Sequence, residues 1–571
     1  MKNQFVAEIL DKIADILDLK GEIFFKTRAY RMAAQKIGTM EKDIETITKE
    51  NQLQSIPGIG EALAKKIKEL VETGKLEYFE KLKAEFPEGL LSLLELSGLG
   101  PKKVAALYNK LGISNVEELR KACIEGQLRD VEGFGEITER NILRSIQLRE
   151  KTSGRVLLNI ANNDGNEYLD YLKKFKRIDN ISIAGSLRRM KETIGDIDIL
   201  ASSKYPDEVM DYFVKYGNVQ RVLLKGNTKT SVLLNDNIQV DFRVVENKSY
   251  GAALQYFTGS KEHNVSMRSL SIKEGYKLNE YGLFDKKTEK YIAGELENDI
   301  YTKLGLTYIE PELRENRGEI NLAKKGKLPN LVGYNSIMGD LHIHSTWSDG
   351  NNSIEQMANA AKNMGYSYVC ITDHSQSLKI ANGLSEERVK KKIDEINKLN
   401  RNFSDFKILC GTECDIKSDG SLDYNNKILN EFDVVSIGIH TSFKMDLKEM
   451  TNRIINGMQN EYVHFLAHPT GRLIGRREPY QVDIEKIIEI AKNTGTFLEI
   501  NSFPDRLDLN DINVKIAKEA GVKLVVGTDS HNIEHLKFIK LGLATARRGW
   551  LEKSDIINTQ KLKEIEKTLS G

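Results

Sequence analysis

Three carboxylates carry the first chemistry that the sequence suggests. Asp196 and Asp198 alternate in the apolar run Asp-Ile-Asp-Ile-Leu, so a strand there projects both from one face. Asp241 lies in a second β-like run, 238–245, where Val240, Phe242 and Val244 alternate with Asp241 and Arg243. Pairing the runs in one sheet gathers three hard oxygen ligands. These suit two Mg²⁺ or Mn²⁺ ions roughly 3.5–4 Å apart, the arrangement that activates an attacking hydroxyl and stabilises a leaving oxygen in phosphoryl transfer. Upstream, Gly185 and Ser186, followed by Arg188 and Arg189, offer a close-approach turn, a hydroxyl and guanidinium groups for a triphosphate. A lone Asp-x-Asp is usually a solvated strand end, but this one comes with a Gly-Ser turn before it and an acid strand after it.

A second set of ligand types fills the C-terminal region. The chain has nine histidines, and six of them, His342, His344, His374, His440, His468 and His531, fall at the ends of β-like runs together with Asp349, Glu413 and Asp529. One core histidine is commonly just hydrogen-bonded; six so placed are not accidental. Imidazole with carboxylate and no thiolate suits Zn²⁺ or Mn²⁺, which would polarise a phosphodiester and supply a hydroxide to attack it. Cys410 and Cys414 have no partner pair for a zinc site and read as buried strand thiols.

The elements that must position these groups follow from periodicity. In the C-terminal region, strands alternate with helices over 354–364, 386–400 and 482–493, which predicts an α/β barrel with its active residues at the C-terminal strand ends. Residues 151–245 mix strands such as 178–184 and 221–224 with helices, whereas 1–85 reads as short amphipathic helices. Within the first 150 residues a single phrase occurs three times, as Gly58-Ile59-Gly60, Gly98-Leu99-Gly100 and Gly133-Phe134-Gly135. Each is an apolar residue, a tight turn and a new helix whose free amides point outward at an anion. That is the helix-hairpin-helix way of holding a DNA phosphate without reading bases. Lys65, Lys66, Lys102 and Lys103 follow the first two copies; Glu136 and Glu139 follow the third, which leaves a structural role open there. Residues 318–332, rich in Lys, Gly, Asn and Pro, read as a linker.

Composition sets bounds. The chain of 571 residues is too long for one core. Its 84 basic and 83 acidic residues leave a net charge of +1. Only the central segment, 151–330, is net basic, by four charges, so DNA binding must rest on local patches and backbone amides. Four cysteines make no disulfide framework, and the acid-containing N-terminus is not a signal peptide. No apolar run approaches the ~18 residues of a membrane span. The expectation is a soluble cytoplasmic, nucleoid-associated monomer.

Beyond the triad, Tyr256-Phe257-Thr258-Gly259-Ser260, then Asn264, Met267 and Arg268, then Leu278-Asn279-Glu280-Tyr281-Gly282-Leu283 resemble the nucleotide pocket of the family X DNA polymerases, within the nucleotidyltransferase superfamily. The resemblance implies that Tyr256 and Phe257 flank the sugar, Asn264 touches the incoming base, Arg268 approaches the template and Arg155 contacts the triphosphate. It also implies that Asp196 and Asp198 hold both metals while Asp241 holds the catalytic one. Some relatives carry an acid where this chain has Lys261. Aligned on the first Gly-x-Gly, the family's 5′-deoxyribose-phosphate lyase nucleophile falls on Lys66, beside Lys26 and Tyr30. Ala62 stands where animal members have another lysine.

The histidine set resembles the PHP (polymerase and histidinol phosphatase) domain, a distorted α/β barrel with a trinuclear site bridged by Glu413. It implies Mn²⁺-dependent 3′–5′ exonuclease, 3′-phosphodiesterase and abasic-site endonuclease action. Arg472 and Arg476, near His468 in sequence, are candidates to hold a substrate phosphate, or else ordinary surface arginines. The expected fold is a multidomain α/β chain. It comprises helical helix-hairpin-helix domains (1–85 and 86–150), a nucleotidyltransferase α/β palm (151–245) with a thumb-like nucleotide-pocket subdomain (246–318), a linker (319–336) and a TIM-like barrel (337–571). The expected function is filling of short gaps in base excision repair, on gapped or nicked DNA with dNTPs. Two rivals are a DNA-end-binding nuclease scaffold with an inactive polymerase half, and a small-molecule phosphatase in the barrel.

Overall fold

The computed structural model describes all residues except 1, 23, 39–43, 57, 88, 95, 97–98, 132, 137, 141, 144–145, 147–153, 236 and 571. Two compact units emerge, residues 1–153 with 475–478, and residues 154–474 with 479–571.

The first unit is helical. Helices Lys2–Leu19 and Phe24–Gly38 close a core of Leu10, Ile13, Ile16, Ile37 and Ile67. The first and second Gly-x-Gly phrases lead into helices with matching caps. Gly60 precedes Glu61–Thr73 at φ −82°, ψ 175°, and Gly100 precedes Pro101–Leu111 at φ −82°, ψ 170°. Proline at the first helical position has no amide to leave unpaired. Gly74 and Gly112 end these helices in the left-handed region, where glycine carries no Cβ penalty.

In the second unit, a five-stranded sheet runs in the order Asn180–Ile183, Asp196–Ser202, Gln239–Val245, Lys229–Leu234, Val219–Lys225. The two acid strands are parallel neighbours with Asp198 opposite Asp241, as the alternation required; the other pairs are antiparallel. Helices Leu158–Leu172 and Pro206–Phe213 cover the opposite face through Tyr168 and Phe213 against Phe242. Helices Tyr250–Thr258 and Lys261–Lys273 and the hairpin Tyr276–Asn279/Gly282–Asp285 follow.

The stretch expected as a linker is not structureless. Glu319–Lys324 is a helix, and the buried Glu319 carboxylate meets His263 Nδ1 at 2.7 Å and accepts from the Asn316 and Arg317 amides. One carboxylate with a buried imidazole partner overrides a polar composition. Val332 already belongs to the core of the next domain.

That domain is a barrel of seven parallel strands in sequence order. They are Gly339–Ile343, Tyr368–Ile371, Lys407–Asp415, Val434–Gly438, Phe465–Leu466, Phe497–Asn501 and Leu524–Gly527. A parallel bridge from Ile343 to Ser530 closes first onto last. Seven strands, not eight, make it a distorted barrel. Leu507 and Leu541 from this domain lie in the same hydrophobic cluster as the palm residues Ile197, Val240 and Phe242.

Candidate active sites

The carboxylate triad assembles. One oxygen from each of Asp196, Asp198 and Asp241 lies within 4.8 Å of the others. Asp196 is exposed, Asp198 half-buried and Asp241 buried. Burial, then Asp196, then Asp241 push the Asp198 carboxyl up to about 7. At Asp241 burial acts in the same sense but is outweighed. Lys229 Nζ sits 2.6 Å from one oxygen and Gln239 Nε2 donates to the other at 2.8 Å, so this carboxyl is lowered. Lys229 and Gln239 were invisible in sequence. Crowded carboxylates of which one resists ionisation fit a divalent cation, which would relieve the repulsion.

Gly185 is dictated by this site. It adopts φ +63°, and a Cβ there would stand 2.1 Å from Asp198 Oδ2. The backbone of this turn and the Asp198 carboxylate are therefore in direct contact, and the half-buried Ser186 follows. The arginines after it do something else. Arg188 pairs with Glu297 and donates to Thr258 Oγ1, while Arg189 pairs with Glu315 at 3.0 Å and donates to the Thr258 carbonyl at 2.5 Å. The Arg189 guanidinium, expected at the triphosphate, is engaged here in an interior ion pair. Arg155 stays exposed beside the triad, donating to Thr193 with Nη1 next to Gly195.

Tyr256 and Phe257 stand half-buried and edge to face at 5.1 Å, with Arg243 over the Phe257 ring at 4.4 Å. Gly259 adopts φ +71° and abuts Arg189. Arg268 is exposed. The Asn264 side chain, expected at the incoming base, donates to the Tyr256 carbonyl at 2.6 Å and accepts from Gln255 Nε2 at 2.8 Å. It braces the aromatic pair from within.

In the helical unit, a Cβ on Gly60, Gly100 or Gly135 would meet nothing within 4 Å, and none of the three needs a positive φ. Packing and φ do not demand glycine there; the N-cap positions of Gly60 and Gly100 favour it, and the open space admits close approach by an external group. Gly58 and Gly133 adopt φ +92° and +85°. Lys102 lies in the first turn of its helix. Gly98 lies outside the described residues. In the third copy Glu139 is buried and paired with Arg129 at 3.0 Å. Lys66 is half-buried, hydrogen-bonded to Tyr30 and 3.4 Å from the Tyr78 ring centre. Burial and then Lys26 hold its ammonium below the usual lysine range.

The barrel ligands converge at the C-terminal strand ends. Glu413 is central, 2.7 Å from His468, 3.0 Å from His440 and 3.2 Å from His374. His342, His344 and Asp529 form one neighbouring group, and His344, Asp349, His374 and His531 another. The donor set fits metal on a structural test: His342 Nε2, both His344 nitrogens, His374 Nδ1 and His468 Nδ1 are buried without a hydrogen-bond partner. Burial opposes charge on His440 and His531, yet Glu413 and Asp415 lift the first to about 10, and Asp349 and Asp529 lift the second to about 9. The counterpart is Glu413, Asp349 and Asp529, whose burial is outweighed by neighbouring histidines so that all three are held below the carboxylate range and call for cationic partners. His468 and Asp529 adopt φ +29° and +54°, strain of the kind that clusters at functional sites.

Sequence reasoning missed the residues that orient these ligands. Glu499 accepts from His342 Nδ1 and from the His468 amide, each at 2.6 Å; Asp415 holds His440 Nδ1; Asn501 donates to Asp529 at 3.1 Å. Carboxylate–imidazole pairs of this type fix the tautomer and turn Nε2 toward the cluster. Arg472, expected at a substrate phosphate, is engaged here by Glu192 and by the carbonyls of Arg506 and Leu507. Arg476 groups with the helical unit. The guanidinium at the cluster is Arg506, 3.4 Å from Asp529.

Comparisons with known proteins agree with this geometry. Family models match for the DNA polymerase beta thumb over residues 253–315, a helix-hairpin-helix domain over 1–76, a SAM-like helix-hairpin-helix tandem over 90–148 and the PHP domain over 340–503. The chain is 40% identical over 568 residues, 99% of both chains, to the DNA polymerase/3′-5′ exonuclease PolX of Bacillus subtilis (strain 168). It is 25% identical over 349 residues to DNA polymerase lambda of Arabidopsis thaliana, covering 55% of this chain and 62% of that one. A probable phosphatase of Thermoanaerobacter sp. (strain X514) matches at 31% over 242 residues, 40% of this chain and 94% of its own. Two metal-ligand clusters on one chain, and a relative of this likeness along its whole length, place the protein among the bacterial family X DNA polymerases that carry a C-terminal PHP domain.

Proposed function

We propose that the protein is a DNA-directed DNA polymerase that fills short gaps during repair and trims DNA ends with a metal-dependent 3′–5′ exonuclease and phosphoesterase. The observation that carries this reading is the coexistence of two complete ligand clusters, the aspartate triad and the histidine-rich barrel mouth. In this reading Asp196, Asp198 and Asp241 hold two Mg²⁺ or Mn²⁺ ions, and the nine barrel ligands hold about three Mn²⁺ or Zn²⁺ ions. When bound, the ions supply Lewis acidity toward phosphoryl oxygens at both sites.

The chain's own groups do the rest. Gly185 lets the loop backbone approach a triphosphate beside the triad, and Tyr256 and Phe257 wall the sugar. Asp241, ionised against Lys229, draws the proton from a primer 3′-hydroxyl. In the barrel, Glu499 and Asp415 hold His342 and His440 with Nε2 inward, and Arg506 is the cation available to a scissile phosphate. Gly58, Gly60, Gly98, Gly100, Lys102, Gly133 and Gly135 hold the phosphates of gapped or nicked duplex DNA, and the protein acts as a monomer. Domain limits of 1–85, 86–150, 151–245, 246–318 and 337–571 describe this division of labour, with 319–336 now a packed connector rather than a free linker.

The test compares wild type with Asp198→Ala and His344→Ala on a gapped duplex with dNTPs and Mn²⁺. Loss of extension alone in the first, and of 3′ degradation alone in the second, is expected. Degradation that survives His344→Ala refutes the assignment of the nuclease to the barrel. The likeness to probable phosphatases favours a second reading for the barrel, as a small-molecule phosphatase. Faster turnover of a phosphomonoester than of DNA 3′ ends would establish it.

A further inference from the structure

The geometry points to Arg548 and Arg472, both from the barrel domain, as positioning residues of the polymerase site: together they clamp the turn 189–193, which joins the phosphate loop to the metal carboxylates. This rests on the reading that Asp196, Asp198 and Asp241 perform nucleotidyl transfer.

The turn runs from the short helix Gly185–Arg188 to the strand Thr193–Ile194, and Asp196 follows after Gly195. Met190 at its centre adopts φ +52°, a conformation that a side-chain-bearing residue holds only when its surroundings impose it. The surroundings that do so include the barrel. Arg548 Nη1 donates to the Arg189 carbonyl at 2.7 Å and to Glu315 at 3.0 Å, while its Nη2 donates to Asp511 at 2.7 Å. At the other end of the turn, Arg472 Nη2 donates to Glu192 at 2.7 Å. Between them Met190 packs on the cluster that contains Leu507 and Leu541.

The clamp reaches the nucleotide pocket twice. Arg189 shares Glu315 with Arg548 and donates to the carbonyl of Thr258, the last residue of the helix bearing Tyr256 and Phe257. Gly185, four residues before Arg189, has no clearance against Asp198, so a small shift of the turn alters the metal carboxylates as well. Arg548 is 4% exposed and touches none of the barrel's metal ligands. If it is removed, Glu315 keeps Arg189 and Asp511 keeps Arg317, so the ion pairs stay balanced. The group left without its donor is the Arg189 carbonyl. Arg548 is thus the cleaner probe, because Arg472 also braces the Arg506–Leu507 backbone of the nuclease site.

The experiment uses the full chain with Mn²⁺ on a one-nucleotide gap. Extension is followed against dNTP concentration, and 3′ degradation of the same duplex is followed without dNTP, for wild type, Arg548→Ala, Arg548→Lys and Asp198→Ala. Arg548→Ala should lower kcat/KM for the nucleotide about 5–150-fold, the span of coupling between distant sites, mainly through KM. Arg548→Lys should recover some of the loss, and degradation should be unchanged. If Arg548→Ala extends like wild type while Asp198→Ala is inactive, the clamp is refuted and the triad assignment stands. If Asp198→Ala still extends, the triad assignment itself is wrong. Parallel loss of both activities in the alanine and lysine variants also overturns the proposal, because Arg548 would then serve the whole fold.

Discussion

Removing one charge from the aspartate triad should stabilise the metal-free protein at alkaline pH. The Asp198 carboxyl is pushed from 3.8 to about 7 by burial and then by Asp196 and Asp241. A carboxyl raised in the folded state contributes stability that is fully present below the unfolded value. That stability is lost as pH climbs through the folded one, so the window here runs from 3.8 to about 7. The gap corresponds to at most about 4 kcal/mol. Solvent reaches some of the carboxyl, and Lys229 already offsets Asp241, so roughly 2 kcal/mol is the working figure. Asp198→Asn keeps the shape and removes the titration. In chelator near pH 8 the variant should unfold at higher denaturant or temperature than wild type, and below about pH 4 the two should coincide. Added Mg²⁺ or Mn²⁺ should stabilise wild type at pH 8 and do little for the variant, which has lost a ligand. A variant less stable than wild type in chelator at pH 8, or an offset that does not shrink on acidification, would refute the electrostatic account of the triad.

Four further outcomes are expected. Gly185→Ala places a Cβ where Asp198 Oδ2 sits, so extension should fall by about 10²-fold while 3′ degradation, assayed in parallel, is retained. Asp415→Asn loosens His440 and should cut degradation or Mn²⁺ affinity about 10–100-fold, measured by metal titration, with extension intact. Gly60→Ala and Gly100→Ala meet no packing neighbour but put a disfavoured residue at a helix N-cap, so each should lower stability by about 0.5–1 kcal/mol in denaturant titrations and weaken gapped-duplex binding by fluorescence anisotropy. Lys66→Ala should abolish borohydride trapping of the protein on a 5′-deoxyribose-phosphate end, whereas Lys65→Ala, at an exposed position paired with Glu61, should leave it intact.

What could be read from the sequence, and what could not, divides along a physical line. The triad was legible because a metal constrains the chemical type of its ligands and a strand constrains their spacing; the register of Asp198 against Asp241 then follows from one parallel pairing. The clustering of the barrel residues was legible for the same reason, since imidazoles at the C-terminal ends of five of the seven strands, with Glu413 at a sixth, have little other use. The ion pair of Arg189 was not legible because it is made with Glu315, over a hundred residues later, and a guanidinium beside a carboxylate looks the same in sequence as one beside a phosphate. Glu499 and Asp415 were overlooked because an acid inside a strand reads as ordinary alternation until an imidazole is found beside it.

The connector shows the same limit at the scale of domains. Its polar composition argued for separation, yet Glu319 seats against His263, and Leu507 and Leu541 complete the palm's own apolar cluster. Partners that are other side chains admit many sequence solutions, so they leave no local mark. It follows that the residues joining the two chemistries, Arg548 and Arg472 among them, are the ones that local patterns could not reveal. A family resemblance built on ligand motifs passes over them as well. If the clamp holds, the barrel contributes to nucleotide incorporation through contacts that its own metal chemistry does not require, and inactivating that chemistry at His344 should leave incorporation untouched while cutting Arg548 should not.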